Sequence, residues 1–154
     1  MIDPFKAAPD QMNAWLRSAM LINSSLDPKL AQLIEIRASQ INGCASCINL
    51  HTAAARESGE TEQRLYLLAA WREALCFTAR ERAALGWTDS LTRLCDEPDI
   101  EQAYETLRAH FDEEEQIKIT LVINVINGFN RLAVGFGLWA DPGAVKAKAA
   151  SMAA

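Results

Sequence analysis

Apolar residues along this chain recur with helical rather than strand spacing, and helix-start signals return every ~12 to 20 residues. A first helix is predicted over Asp10 to Leu21. A second begins near Asp27 with Pro28 at its first position, where the fixed φ of proline suits a helix and its missing N–H costs nothing. Leu30, Leu33, Ile34, Ala38 and Ile41 keep the spacing, and Asn42-Gly43 ends it because both residues accept left-handed backbone. The next helix starts near Cys44 and reaches about Glu57, with Gly59 as its stop. Thr61 caps a helix through Ala70 or Leu75, and Thr78-Ala79-Arg80-Glu81 is a capping box ahead of one to about Leu94. Pro98-Asp99 opens a helix ending near His110, and Asp112 to Glu115 opens the last, which reaches about Phe136.

That last helix carries Ile117, Ile119, Leu121, Val122, Ile123, Val125 and Ile126, so it is apolar nearly all round over two turns. A helix of this kind is buried on most sides, which in a small helical protein predicts a partner subunit. Asn124, Asn127, Asn130 and Arg131 add a polar stripe, read as hydrogen-bonding across a subunit interface, with a water-facing stripe as the alternative. The Ala/Lys-rich tail after Trp139 is expected to be frayed or loosely docked. No internal repeat, linker or low-complexity block divides the chain. The expectation is one all-α helical bundle over residues 1–154, assembled into an oligomer.

Composition narrows the function classes. Half of the 154 residues are apolar and 23% are charged, the balance of a soluble globular domain. The net charge is −5 and no Lys/Arg cluster appears, so nucleic acid is not an expected partner. The N-terminus shows no basic segment followed by an apolar one, as a secretory signal would. Lys118, Asn124, Asn127, Asn130 and Arg131 make the most apolar stretch too polar for a membrane span. The expected location is the cytoplasm, where close cysteines are more often catalytic or metal-binding than structural.

The chemistry is concentrated in INGCASCINLH, residues 41–51. On a helix, Cys44, Cys47 and His51 stand at i, i+3 and i+7 and share one stripe. Unsatisfied N–H groups and the helix dipole at the helix start stabilise a thiolate, the reactive form of sulfur. An imidazole four residues from Cys47 is placed to take or return the thiol proton. Haem attachment wants histidine directly after the second cysteine, and here Ile48 stands there. Structural zinc wants a second ligand pair, but Cys76 and Cys95 lie far apart and His110 is read as a helix-end residue. A pair of inert buried cysteines is the plain alternative; a redox-active dithiol accounts for more of the pattern. Cys76 and Cys95 are expected to be packed thiols. Trp71, Phe77 and Trp87 have core-like spacing, with lining of a redox pocket as an alternative role.

Residues 40–51, Gln-Ile-Asn-Gly-Cys-Ala-Ser-Cys-Ile-Asn-Leu-His, resemble the C-x-x-C-x-x-x-H signature of the alkylhydroperoxidase AhpD-like family, part of the carboxymuconolactone decarboxylase superfamily. Segments around Trp71, from Phe77, and from Asn124 to Leu132 resemble its single-domain members, so the likeness spans roughly residues 20–135. The resemblance implies an all-helical fold, trimers or hexamers, no metal or haem cofactor, and thiol peroxidase chemistry. It implies that Cys47 is the thiolate that attacks peroxide, that Cys44 then closes the disulfide, and that His51 shuttles protons. A dithiol donor, lipoyl-type or a thioredoxin-like protein, would then attack the more exposed sulfur, expected to be Cys44. The helix-start argument alone favours Cys44 at least as much as Cys47 as the attacking thiolate.

Two positions depart from the family pattern. Gln32 stands where the family carries a glutamate, and an amide cannot accept a proton at neutral pH. Glu35, one turn further on, either substitutes for it or is a solvated helix charge. Ser46 stands where the family has a second histidine between the cysteines. The leading expectation is an antioxidant peroxidase. The alternatives are a dithiol–disulfide exchanger or redox sensor with little peroxidase activity, and an assembly module whose motif is structural or binds zinc.

Overall fold

The computed structural model describes residues 1–143, and the structure of these residues is helical without a strand. The helices are α1 Pro4–Ala7, α2 Pro9–Asn23, α3 Pro28–Asn42, α4 Ala45–Glu57, α5 Glu62–Leu67, α6 Ala79–Thr92, α7 Ile100–Arg108 and α8 Glu113–Phe136. The Ala/Lys-rich tail from residue 144 lies outside the described residues.

Most starts follow their caps. Asp27 accepts from Leu30 N–H at α3, Thr61 from Arg64 N–H at α5, and Asp99 from Gln102 N–H at α7. Reciprocal capping boxes, Thr78 with Glu81 and Asp112 with Glu115, open α6 and α8. Two features add to the sequence pattern. The first predicted helix is α2, and the short α1 precedes it, because Pro4 and Pro9 each take a first helical position and Asp3 caps the short one. The helix after Thr61 stops at Leu67 and tightens into a 3-10 turn over Leu68–Ala70. The carbonyls that follow, from Trp71, Arg72 and Ala74, accept from the Arg82 guanidinium.

The helix buried all round is α3, not α8. Every residue from Leu33 to Ser39 is buried, almost two full turns. α3 packs against α4, α6 and α8. Ile34 joins Trp87, Leu107, Phe111, Ile119 and Val122 on one side. Leu33 and Ile36 join Leu65, Leu68, Trp71, Phe77 and Leu85 on another. Ala38 meets Cys44, Cys47 and Ile126 on a third. Trp71, Phe77 and Trp87 are thus core residues, as their spacing suggested, and none belongs to the cluster that holds the cysteines.

α8 is long and apolar enough, by length and composition, to cross a membrane, so the sequence reading of this stretch as too polar is corrected. Its packing is that of a core helix: Ile119, Val122, Ile123, Val125 and Ile126 are buried. Ile117 and Leu121 stay exposed, at 62% and 40%. The polar stripe is also corrected, because its inner members bond within the chain. Asn42 donates to Asn127 Oδ1 (3.0 Å) and Asn130 Oδ1 (2.8 Å), Asn130 donates to Ser39 Oγ (3.0 Å), and Asn127 donates to Thr92 Oγ1 (3.1 Å). Asn124 and Arg131 are exposed.

Charge inside α3 is neutralised on two sides. Arg37 is buried and forms a two-pronged pair with Asp89 of α6, at 2.6 and 3.1 Å, and Asp89 also accepts from Arg72 and from Trp71 Nε1. Burial pushes the Asp89 carboxyl up, but hydrogen bonds from Arg37 and Arg72 and their charges outweigh it and hold the group below the usual carboxylate range. Stability from this site is therefore complete above the unfolded-chain value of about 3.9 and is lost as pH falls through the lower native value. Asp89→Asn leaves Arg37 buried without its counter-charge, and a loss of about 3 kcal/mol is expected. Urea midpoints between neutral pH and pH 3 test this: the parent should lose stability toward acid more steeply than the variant.

Candidate functional site

The site forms where α3 ends and α4 begins. Gly43 takes left-handed backbone, φ +67°, as the C-cap of α3. Cys44 N–H closes the turn on Ser39 C=O at 3.0 Å. Asn42, immediately before, is tied to Asn127 and Asn130 of α8, so the turn is fixed to the bundle.

Cys44 is the N-cap of α4. Its Sγ accepts from Cys47 N–H at 3.3 Å. The helix-start argument thus favours Cys44 in the folded chain as it does in the sequence: a Cys44 thiolate would receive the same N–H and lie on the helix axis. The two sulfurs are joined as a disulfide, with Cα atoms 5.3 Å apart. Both residues are buried, Cys44 at 1% and Cys47 at 7% exposure. The exposure ranking is the reverse of the expected one, and both cysteines pack with Ala38 and Ile126.

His51 is two turns into α4, and its Nδ1 faces α3. Gln32 Oε1 lies 3.0 Å from Nδ1 and Glu35 Oε2 lies 3.1 Å from it. Two acceptor oxygens at one nitrogen place the proton on Nδ1, which leaves the lone pair of the neutral ring on Nε2. Glu35 is 1% exposed, so the reading of it as a solvated helix charge is overturned. Sequence spacing put Glu35 on a face beside Gln32, and the structure brings both to one imidazole.

A further member was missed in the sequence. Asn23, the last residue of α2, donates to Glu35 Oε1 at 2.6 Å. This occupies one carboxylate oxygen and leaves Oε2, which has no hydrogen-bond partner, 3.1 Å from the ring nitrogen. Nothing in the local pattern marks Asn23, since its partner is twelve residues away on another helix. Ser46 was noted only as a departure, yet its hydroxyl accepts from Ala140 N–H at 2.7 Å.

The remaining candidates stay outside this group. His110 is half-buried and its Nδ1 lies 3.0 Å from Thr106 C=O, the helix-end contact expected of it. Cys76 is half-buried, whereas Cys95 is exposed and not the packed thiol expected, because it sits in the short turn Leu94–Asp96 after α6.

A model of the carboxymuconolactone decarboxylase family matches residues 7–90, a span that holds Asn23, Gln32, Glu35, Cys44, Cys47 and His51. The Bacillus subtilis protein YdfG is 42% identical over 114 residues, 74% of this chain and 78% of YdfG. A solved Agrobacterium tumefaciens protein of unknown function, for which an AhpD-type role in antioxidant defence has been suggested, is 43% identical. It superposes with a TM-score of 0.85, covering 91% of this chain and 97% of that one. A peroxidase-related protein of Silicibacter sp. is 28% identical with a TM-score of 0.73, over 86% and 69% of the two chains. A debrominase that is 19% identical, with a TM-score of 0.80 over 91% and 77%, shares the fold. Together with the CxxC at the start of α4, these likenesses make the chain an AhpD-like member of the carboxymuconolactone decarboxylase family.

Proposed function

We propose that this chain is a single AhpD-like domain that reduces peroxides through Cys44 and Cys47. The observation that carries this reading is the Cys44–Cys47 disulfide at the start of α4, on the helix that also bears His51. A redox role is supported by that bond and by the antioxidant and peroxidase-related relatives.

In the reduced protein, the Cys47 thiolate attacks the terminal oxygen of a hydroperoxide and the O–O bond breaks. The product alkoxide takes a proton, which His51 is placed to deliver. Cys47 is then a sulfenic acid, and the Cys44 sulfur displaces its hydroxyl as water to form the disulfide. Two thiols and one hydroperoxide thus become one disulfide, one alcohol and one water. An external dithiol, lipoyl-type or carried by a thioredoxin-like protein, restores both thiols by exchange and is itself oxidised.

Glu35 is assigned the role of the family's missing glutamate, three residues along the same helix. It holds the charge that faces His51 Nδ1, while Gln32 orients the ring through the shared proton. Asn23 positions the carboxylate. Self-association is part of the same proposal: Ile117 and Leu121 leave an apolar edge on α8 that a second copy would cover.

A second reading, dithiol–disulfide exchange with little peroxidase activity, draws on Gln32 and Ser46 replacing the family's glutamate and histidine.

Stopped-flow mixing of reduced protein with cumene hydroperoxide separates the two. The peroxidase reading expects thiol loss at least a hundredfold faster than for free cysteine, and a fall of about tenfold or more in Glu35→Gln and His51→Ala, in line with general acid–base contributions. Loss no faster than free cysteine sinks it and leaves exchange.

Alkylation of the oxidised protein tests the pairing itself. Cys95 should label quickly and Cys76 slowly, with Cys44 and Cys47 protected until reductant is added. Labelling of Cys44 or Cys47 before reduction would contradict the disulfide.

A further inference from the structure

The chain after α8 returns to the cysteines. Gly137 caps α8 in left-handed backbone, φ +62°, and Leu138 N–H closes on Ala133 C=O at 2.9 Å. Ala133 itself packs against the cluster of Ala38, Cys44, Cys47 and Ile126. Three residues past the turn, Ala140 is held at both of its backbone groups by α4. Its N–H donates to Ser46 Oγ at 2.7 Å and its C=O accepts from Asn49 Nδ2 at 3.5 Å. Ser46 is the third residue of the Cys-Ala-Ser-Cys motif, between the two cysteines in sequence, and it is buried.

We infer that residues 137–140 form a strap that closes over the Cys44–Cys47 disulfide, and that release of Ala140 from Ser46 and Asn49 opens the disulfide to its reductant. This rests on the redox reading of the two cysteines but not on peroxide being the oxidant.

Three features fit a gate rather than a fixed part of the core. The attachment is by hydrogen bonds to one residue's backbone, so it depends on no particular side chain of the strap. The largest side chain of the strap, Trp139, is 70% exposed and does not anchor it. One of the two bonds is long, so the cost of release is modest and local opening is accessible without unfolding the bundle. Against this, both cysteines are below 10% exposure, and a thiolate must approach one sulfur along the S–S axis to displace the other. The strap is seated on the residue between the two cysteines, so its release is the local opening proposed to admit that thiolate.

The position that holds the strap is also where this chain departs from the family pattern. A hydroxyl at Ser46 accepts the Ala140 N–H and gives the segment a fixed seat beside the sulfurs. The exchange the strap would control is balanced without peroxide. A dithiol's thiolate attacks one cysteine sulfur, the other cysteine leaves as a thiolate, and the second thiol of the donor closes its own disulfide. Two electrons reach Cys44 and Cys47, which take up two protons.

The test is the rate at which dithiothreitol reduces the oxidised full-length chain, read by quenched alkylation and mass. Ala140→Pro deletes the N–H and Ser46→Ala deletes its acceptor, so both remove the same bond. Each should speed reduction about tenfold, the order expected for loss of one hydrogen bond, and the double variant should be no faster than either. Unchanged rates, acceleration by only one of the two, or additive effects overturn the strap. Circular dichroism and melting midpoints check the fold. If Ala140→Pro does not fold, Asn49→Ala takes its place: acceleration supports the strap and an unchanged rate overturns it. Because no peroxide is used, the outcome is separate from that of the peroxidase measurement.

Discussion

The burial of α3 with charge on it constrains everything else in this protein. Leu33 to Ser39 have no face to water, yet the run includes Glu35, Arg37 and Ser39. An unpaired charge in such a place costs several kcal/mol, so each must find its partner on a neighbouring helix. Arg37 takes Asp89 on α6, Glu35 takes Asn23 on α2 and approaches His51 on α4, and Ser39 joins Asn130 on α8. These pairings fix how α2, α4, α6 and α8 are placed around α3, more specifically than apolar contact alone can do. The redox site is one of them.

This explains how much of the protein was legible in sequence. The starts of α3 to α8 were visible because their signals are local: Asp27 with Pro28, the Thr78–Glu81 box, the Asp112–Glu115 box. The CxxC and its histidine were visible because one helix carries them. The all-round burial of α3 was not. Its heptapeptide Leu-Ile-Glu-Ile-Arg-Ala-Ser reads as a helix with one wet face, whereas α8 reads as wholly apolar, so pattern alone reversed the two. Burial of Glu35 and Arg37 depends on partners 16 and 52 residues away, and no window of local sequence contains them. The same holds for Asn23, and for Ala140 reaching Ser46 across 94 residues.

The stripe of asparagines shows the opposite error. Asn127 and Asn130 were noticed as too polar for a core face and assigned outward. They point inward because the Asn42-Gly43 turn exposes polar groups inside the bundle, and amides satisfy them. Satisfied in this way, a buried polar network specifies one arrangement of the turn that presents Cys44.

The proposed mechanism puts the acid at Glu35 rather than at position 32, and that changes what the site can tolerate. At position 32 a side chain is half-buried and solvent can share its work. Glu35 is enclosed, its Oε1 is committed to Asn23, and its Oε2 has no hydrogen-bond partner and lies beside the imidazole. In that mechanism a proton moving onto His51 meets an enclosed carboxylate rather than reorganised water, which is the condition under which electrostatic stabilisation is strongest. On the sulfur side little has to move: Cys44 Sγ already receives the Cys47 N–H while oxidised, and the Cα separation of 5.3 Å lies within the ordinary disulfide range. In the proposed mechanism the step left to conformation is entry, and the segment seated on Ser46 is the part of the molecule where its rate would be set.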